Sequence, residues 1–185
     1  GLSMNDSETQ AVRKGEELNV DTLRAFLTER LGGSGALLAV EQFPAGSSNL
    51  TYLVRLDNKE FVLRRPPFGN TVKTAHDMRR EFDVLSKLSV VYPPAPKPKL
   101  FCDDPSVIGA EFYVMERREG LIIRGTSPRE LERSPDLQRN VCKGFVENLA
   151  KLHSLRYVAA GLGDLGNPDG YNRRQVEGWT KRYFT

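Results

Sequence analysis

The chain has 185 residues, 39% of them hydrophobic, and 27 basic against 24 acidic side chains give it a net charge of +3. That composition is enough to build a hydrophobic core in one ordinary domain or in two small lobes. The basic residues are spread along the chain instead of forming a basic stripe, which argues against a nucleic-acid partner. Because the sequence has neither an apolar run of membrane-spanning length nor a signal-peptide pattern, we expect a cytoplasmic protein with no membrane partner.

Residues 1–17 are expected to be a flexible tail. Gly1-Leu2-Ser3 resembles the remnant of an expression tag, and the polar segment that follows has no helical or strand periodicity. Order is predicted to begin near Asn19, with a short amphipathic helix that starts at an Asn19 or Asp21 cap and stops at Gly32-Gly33. The tail therefore lies outside the predicted fold.

Residues 18–118 are predicted to form a first lobe of five antiparallel strands with one inserted helix. Alternating apolar residues separated by turn residues predict the strands, and apolar residues at helical spacing predict the helix. We expect strands at residues 37–43, 50–56, 61–65, 99–102 and 111–117, and the inserted helix at residues 71–89 with Thr74 as its N-cap.

The segment FVLRRPP, residues 61–67, places a cation at the end of a predicted strand. Side chains alternate between the two faces of a strand, so Arg64 points away from the face that Phe61 and Leu63 share. Proline lacks the N–H group that a strand ladder needs, so the two prolines end the strand directly after Arg65. Arg64 is therefore predicted to face a cleft, with Arg65 as its outward-facing neighbour.

Glu81 interrupts the apolar stripe of the inserted helix. It follows Met78 by three residues and precedes Leu85 by four, so it lies among the positions that face the core. One interpretation is a surface glutamate at the edge of the stripe. The other is a buried partner for Arg64.

A turn of small residues, Gly46-Ser47-Ser48-Asn49, separates the first two predicted strands. Successive backbone N–H groups in a tight, concave turn attract phosphate oxygens, and the short side chains add donors without blocking the approach. The same composition suits a turn with no ligand. Taken alone, the segment leaves both interpretations open.

The small-residue turn, the strand that ends in a cation and the helix with an inward carboxylate together match the way kinases hold nucleotide phosphates. The sequence resembles the aminoglycoside-phosphotransferase-like branch of the protein-kinase-like fold, and most closely the kinase-like domains related to those fused to some acyl-CoA dehydrogenases. The resemblance covers about residues 37–183. It is carried by FPAGSSNLTY (43–52), FVLRRPP (61–67), REFDVL (80–85), DPSVIG (104–109), FYVME (112–116) with Gly120, and shorter matches at 152–153, 174–176 and 179–181.

The resemblance implies an ATP-binding site. In it, the turn covers the ATP phosphates, Arg64 replaces the lysine that usually contacts them, and Glu81 pairs with Arg64. An arginine is not equivalent to a lysine at such a position, because its planar guanidinium can bridge a carboxylate and a phosphate. The residues implied in ATP binding are Gly46, Ser47, Ser48, Asn49, Arg64, Glu81, Met115 at the back of the adenine pocket, and Glu116 and Arg117, whose backbone with that of Arg118 forms the hinge to adenine.

Residues 119–185 are predicted to begin a helical second lobe. Helices are expected near residues 128–133, at 136–155 and at 171–183, with a glycine-rich loop at 161–170. The long helix carries Val141, Phe145, Leu149 and Leu152 on one face. We expect this lobe to be incomplete, and exposed apolar helix faces then predict self-association.

The catalytic pattern of the family does not occur in the sequence. The family has a catalytic aspartate in a His-Gly-Asp type loop, a nearby asparagine and a later metal-binding aspartate, and neither His76 nor His153 is followed by such a pattern. Asp164 and Asp169 lie in a glycine-rich loop where aspartates commonly form turns. Cys102 and Cys142 lack the spacing of a thiolate metal site. We assign no catalytic or metal-binding residue and expect the Mg²⁺ ligands downstream of Thr185.

We therefore predict an α+β fold, with a protein-kinase-like N-terminal lobe followed by the first helices of an α-helical lobe. The predicted function is the ATP-binding portion of a small-molecule phosphotransferase that transfers the γ-phosphate of ATP to a substrate hydroxyl, with ATP and Mg²⁺ as cofactors. The alternative is a non-catalytic nucleotide-binding or structural module of the same fold. A His-Gly-Asp segment after Thr185 in the native reading frame would favour the enzyme, and a natural stop there would favour the module.

Overall fold

The computed structural model describes residues 8–44, 49–69, 77–120 and 129–184. An antiparallel sheet carries one helix on each face, and further helices follow it. The strands are β1 Leu38–Gln42, β2 Leu50–Leu56, β3 Lys59–Arg65, β4 Pro98–Cys102 and β5 Phe112–Glu116. The helices are α1 Val20–Leu31, α2 Met78–Val91, α3 Arg129–Glu132, α4 Pro135–His153 and α5 Tyr171–Tyr183, with a 3-10 turn at Gly163–Leu165.

The sheet has the order β1-β2-β3-β5-β4, and every neighbouring pair is antiparallel. The five-stranded antiparallel sheet predicted from the sequence is therefore confirmed. Strand β3 lies in the middle and ends at Arg65, directly before Pro66, as predicted. Its central place sets Arg64 opposite Thr51 on one side and Tyr113 on the other.

The main hydrophobic core lies between the sheet and α1. Leu23 and Leu27 are fully buried there, and the ring of Phe26 packs edge-on against Phe112 with centroids 5.7 Å apart. Each fully buried leucine contributes roughly 1.5–3 kcal/mol to folding. Asn19 caps the helix and Gly32 ends it at a φ of 74°, a left-handed conformation that glycine adopts without steric cost, so both predicted helix signals are confirmed.

Helix α2 packs on the opposite face of the sheet. It begins at Met78, which is fully buried, and Asp77 caps it by accepting a hydrogen bond from the backbone N–H of Arg80. The cap of this helix is Asp77, and residues 71–76, which include the predicted start and the predicted Thr74 cap, lie outside the described residues. The ring of Phe82 contacts those of Phe101 and Tyr113, which fixes α2 against β4 and β5.

The polar segment before α1 packs on the edge of the sheet, which differs from the flexible tail expected there. Gln10 and Gln42 exchange backbone hydrogen bonds of 2.9 and 2.8 Å. The Gln42 side chain is fully buried and bonds to the backbone N–H of Arg13 and to the Glu16 carboxylate. A buried amide needs such partners, and an edge strand has unpaired backbone groups, so both hold residues 8–17 in place.

The helices predicted for residues 119–185 form close to their predicted positions, and α5 has the predicted bounds. Helix α4 begins one residue earlier than predicted because Ser134 caps it and Pro135 takes the first turn. Neither α4 nor α5 has a buried residue, and Phe145 on the apolar face of α4 is 68% exposed. Among the described residues, no helix is both long and apolar enough to cross a membrane.

Candidate functional site

Arg64 and Glu81 form an ion pair between the central strand and α2. The Arg64 Nε donates to Glu81 Oε2 at 2.9 Å, and Arg64 Nη2 donates to Glu81 Oε1 at 3.3 Å. Both nitrogens of one edge of the guanidinium therefore contact both carboxylate oxygens, a geometry that lysine cannot reproduce. Of the two interpretations of Glu81, the structure supports the partner of Arg64.

Three further side chains fix this pair. Asn49 Nδ2 donates to Glu81 Oε1 at 2.8 Å, and the Tyr113 hydroxyl donates to Glu81 Oε2 at 2.9 Å. Arg64 Nη1 in turn donates to Thr51 Oγ1 at 3.0 Å. Thr51 and Tyr113 were not among the site residues predicted from the sequence. Strand alternation puts both on the face of Arg64, but their adjacency follows from the pairing of β3 with β2 and β5.

The electrostatics of the pair favour its charged form. Burial raises the pKa of Glu81, but the hydrogen bonds and positive charge of Arg64, with the hydrogen bonds from Tyr113 and Asn49, more than compensate and hold it below its ordinary value. Burial likewise lowers the pKa of Arg64, and the Glu81 carboxylate outweighs that effect and raises it. Burial and the neighbouring Glu81 charge both raise the pKa of the Tyr113 hydroxyl, which therefore remains a donor at neutral pH.

A cavity of about 540 Å³ opens between the sheet and α2 beside this pair. Met115, Arg64 and Glu81 are among the residues that line it. The place of Met115 at the back of an adenine pocket stays a prediction. The remaining lining residues are Asp77, Arg80, Val84, Leu85, Pro96 and Tyr113. The cavity volume lies within the range of about 300–1,000 Å³ that is typical of small-molecule sites.

The other predicted ATP-binding residues have different surroundings. Gly46, Ser47 and Ser48 lie outside the described residues, whereas Asn49 binds Glu81. The side chain of Glu116 pairs with Arg118 at 2.7 Å, and its backbone N–H bonds to the carbonyl of Lys97 at 2.9 Å. Arg117 pairs with Glu60 and Glu8. The hinge role assigned to the backbone of residues 116–118 stays a prediction.

Arg65 is buried, so the prediction that it faces outward is wrong. It shares a sheet face with the core residue Leu63 and is 2% exposed. Its Nη1 donates to the Ile108 carbonyl at 2.9 Å, and its guanidinium stacks 3.6 Å from the ring centre of Phe68. The local pattern gave the correct face, but it could not show that Phe68 and Ile108 cover the end of that face.

Among the described residues, no three His, Cys, Asp or Glu side chains are close enough to hold a metal ion. His153, Asp164 and Asp169 are exposed, and His76 lies outside the described part of the chain. A downstream origin of the Mg²⁺ ligands stays an expectation.

Comparison with known proteins identifies the family. Residues 39–185 match the phosphotransferase enzyme family. The chain belongs to this family. A crystal structure named "putative aminoglycoside phosphotransferase" from Ralstonia eutropha JMP134 superposes on this phosphotransferase-family chain with a TM-score of 0.68 at 31% identity, covering 90% of this chain and 47% of that one. The kinase-like α+β fold and the family resemblance predicted from the sequence are confirmed.

The curated relatives of this phosphotransferase-family chain are much longer proteins. It is 39% identical to acyl-CoA dehydrogenase family member 11 of Rattus norvegicus over 180 residues and 38% identical to the Homo sapiens protein over 182 residues. It is also 34% identical to acyl-CoA dehydrogenase family member 10 of Mus musculus over 183 residues. These matches cover 95–98% of this chain but only 23%, 23% and 17% of the three relatives. The chain therefore spans about a quarter or less of the length of these relatives.

Proposed function

We propose that this chain is the ATP-binding portion of a kinase-like phosphotransferase that transfers the γ-phosphate of ATP to a hydroxyl of a small molecule. The observation that carries the proposal is the two-point contact between Arg64 and Glu81 at the wall of the cavity. A cation held by a carboxylate from a neighbouring helix is the device by which kinases present positive charge to nucleotide phosphates. Arg64 on β3, held by the Glu81 carboxylate of α2, is a cation of this kind.

The turn after β1 supports phosphate binding near Arg64. The backbone N–H of Phe43 donates to the carbonyl of Thr51 at 3.0 Å and closes the hairpin at the base of the turn. Asn49, at the other end, donates to Glu81. Asn49, which directly follows the small-residue segment, therefore contacts the Arg64–Glu81 pair, and we propose that the phosphate chain of ATP lies beside this pair.

The base of the nucleotide has an apolar wall available to it. Met115, Leu85 and Pro96 are among the residues that line the cavity. An aromatic base buries its faces against such side chains, while backbone groups at the end of β5 can pair with its edge. A lining that combines charged and apolar side chains suits a nucleotide better than a ligand of uniform polarity.

Phosphoryl transfer also needs Mg²⁺ and a group that orients the substrate hydroxyl. We propose that a catalytic aspartate and the Mg²⁺ ligands come from sequence downstream of Thr185, because the His-Gly-Asp pattern of the family is absent from residues 1–185. Family membership does not make an aminoglycoside the substrate. A small-molecule partner and a cytoplasmic location stay predictions.

A non-catalytic nucleotide-binding module is the second candidate. It is favoured by the arginine at the position where the family usually has a lysine, since the guanidinium is already engaged by Glu81 and Thr51. ATP turnover in a version of the protein that includes downstream sequence separates the two candidates. Turnover above a matched heat-inactivated sample supports the phosphotransferase, and tight ATP binding without turnover supports the module.

Calorimetric titration with Mg²⁺–ATP tests the shared part of both candidates. Arg64→Ala removes a charge-assisted contact with phosphate and should weaken binding by roughly 10- to 100-fold. Arg24→Ala is the matched control, because Arg24 lies on α1 in a pair with Asp21 that is remote from the cavity. Equal affinity of the wild type and Arg64→Ala would refute the proposal.

A further inference from the structure

Residues 8–10, here called the N-terminal strap, pass around the edge of the sheet onto the face that carries Arg64. Gln10 pairs with Gln42 through the backbone at the edge of β1. The Thr9 hydroxyl then bonds to Glu41, and the Glu8 carboxylate pairs with Arg117 at 3.1 Å. Glu41 lies on β1, and Arg117 directly follows β5. Strands β2 and β3 lie between β1 and β5 in the sheet, so Thr9 and Glu8, although consecutive, contact partners on opposite sides of these two strands.

Strand register defines which part of the sheet the strap meets. On the face of Arg64, one row across the strands consists of Glu41, Leu53, Val62 and Met115. Along β5, this row lies on the C-terminal side of the row that contains Arg64 and Tyr113. Consider a nucleotide whose phosphates contact Arg64 and whose base reaches residues 116–118 with its edge. The base of that nucleotide has to lie against this row.

The apolar centre of that row is closed to solvent. Leu53 is 1% exposed and Val62 is 7% exposed, while Met115, their neighbour in the row, lines the cavity. The cavity thus reaches the row at Met115 and stops there. For a base to lie flat beneath Leu53 and Val62, the groups that cover this part of the sheet have to move.

A chain of ion pairs holds the N-terminal strap against this part of the sheet. Arg55 on β2 pairs with Glu41 at 2.7 Å and with Glu60 at 2.8 Å, and Glu60 also pairs with Arg117. Glu8 and Thr9 complete the chain at its two ends through Arg117 and Glu41. These charged groups are partly exposed, so the strap is held by contacts that are individually weak and can be released.

We propose that the N-terminal strap competes with the base of ATP for the same part of the sheet. The strap closes the end of the cleft where the base would lie, and ATP reaches its full affinity only when the strap leaves the sheet face. This inference rests on the proposed ATP-binding function and adds regulation of the same site. While the strap is closed, the apparent affinity for ATP is reduced by the fraction of molecules in the open state. By reciprocity, bound ATP must shift the strap toward its open state.

Two truncations that differ by two residues test the competition. Deletion of residues 1–9 removes Glu8 and Thr9 and should tighten Mg²⁺–ATP binding by roughly threefold or more, whereas deletion of residues 1–7 should leave it unchanged. Glu8→Gln keeps the backbone and should tighten binding by about two- to fivefold, the share of a single partly exposed ion pair. Glu17→Gln, whose carboxylate bonds locally to the backbone of Gly15, is its control.

Hydrogen exchange supplies a readout that does not depend on the truncations folding. The backbone N–H groups of Gln10 and Gln42 each donate to the carbonyl of the other residue, so their exchange should accelerate when Mg²⁺–ATP is added to the wild type. Unchanged exchange together with unchanged affinity of Glu8→Gln would overturn the strap proposal while Arg64-dependent binding persisted. Loss of the Arg64 dependence itself would instead overturn the proposed function, so the two failures are distinguishable.

Discussion

Arg64 and Arg65 are consecutive in β3, yet their guanidinium groups lie on opposite faces of the sheet and have different partners. Arg64 contacts the Glu81 carboxylate at the cavity, and Arg65 contacts the Ile108 carbonyl and the ring of Phe68 on the core face of the sheet. Strand alternation places one of these two cations at the cavity and the other on the core face of the sheet. The two arginines should therefore respond oppositely in stability and binding experiments.

Replacing Arg65 should reduce stability and leave nucleotide affinity unchanged. Arg65→Ala removes the donor to a buried carbonyl and the contact with Phe68, so we expect a loss of about 2–4 kcal/mol in the free energy of unfolding. Urea denaturation measures the loss, with Arg24→Ala expected to stay within about 0.5 kcal/mol of the wild type. An Arg65→Ala protein of normal stability would contradict the buried position.

Tyr113→Phe should lower the stability of the protein without changing the shape of the cavity. It removes the hydroxyl that donates to Glu81, and the expected cost is about 1–2 kcal/mol in the free energy of unfolding because the acceptor is charged. Tyr92→Phe is the matched control, since the Tyr92 hydroxyl makes a longer contact of 3.4 Å with the Asn148 carbonyl at an exposed site. Equal losses for the two variants would argue against a special role of Tyr113.

Acidification should destabilise the protein in part through Glu81. Its folded-state pKa is held below its ordinary value, chiefly by Arg64 against the effect of burial, so its contribution is complete above the ordinary glutamate pKa and is lost as the pH falls through the folded-state pKa. Urea unfolding at several pH values should show a shallower loss for Glu81→Gln than for the wild type. Glu29→Gln, at an exposed position of α1, should follow the wild-type curve, whereas parallel curves for all three would contradict the prediction.

The apolar face of α4 predicts self-association of this chain. Val141, Phe145 and Leu149 are 40%, 68% and 41% exposed, and Val146 beside them is 61% exposed. A contiguous apolar surface of this kind is costly in water and is relieved by burial against another surface. Sedimentation velocity should show a concentration-dependent increase in mass that Phe145→Glu reduces. Asn140→Glu adds the same charge roughly 140° around the helix and should leave the association unchanged.

Much of the secondary structure was determined by the sequence, because its signals are local. Asn19 and Gly32 bound α1, Pro66 ends β3, and α5 has the bounds that were predicted for it. Capping, proline geometry and side-chain periodicity act over a few residues and need no knowledge of the rest of the fold. The pairing of Arg64 with Glu81 was one of two interpretations that the local pattern left open, and the family resemblance implied it.

The tertiary structure decided which residues surround that pair. Tyr113 reaches Glu81 because β5 lies beside β3, although α2 and β4 separate the two strands in the chain. Arg65 is buried because Phe68 and Ile108 cover it, and residues 8–17 are ordered because Gln42, about thirty residues later in the chain, needs partners for its buried amide. Strand order, burial and the satisfaction of buried polar groups depend on contacts between distant segments, and these contacts exist only once the whole sheet has formed.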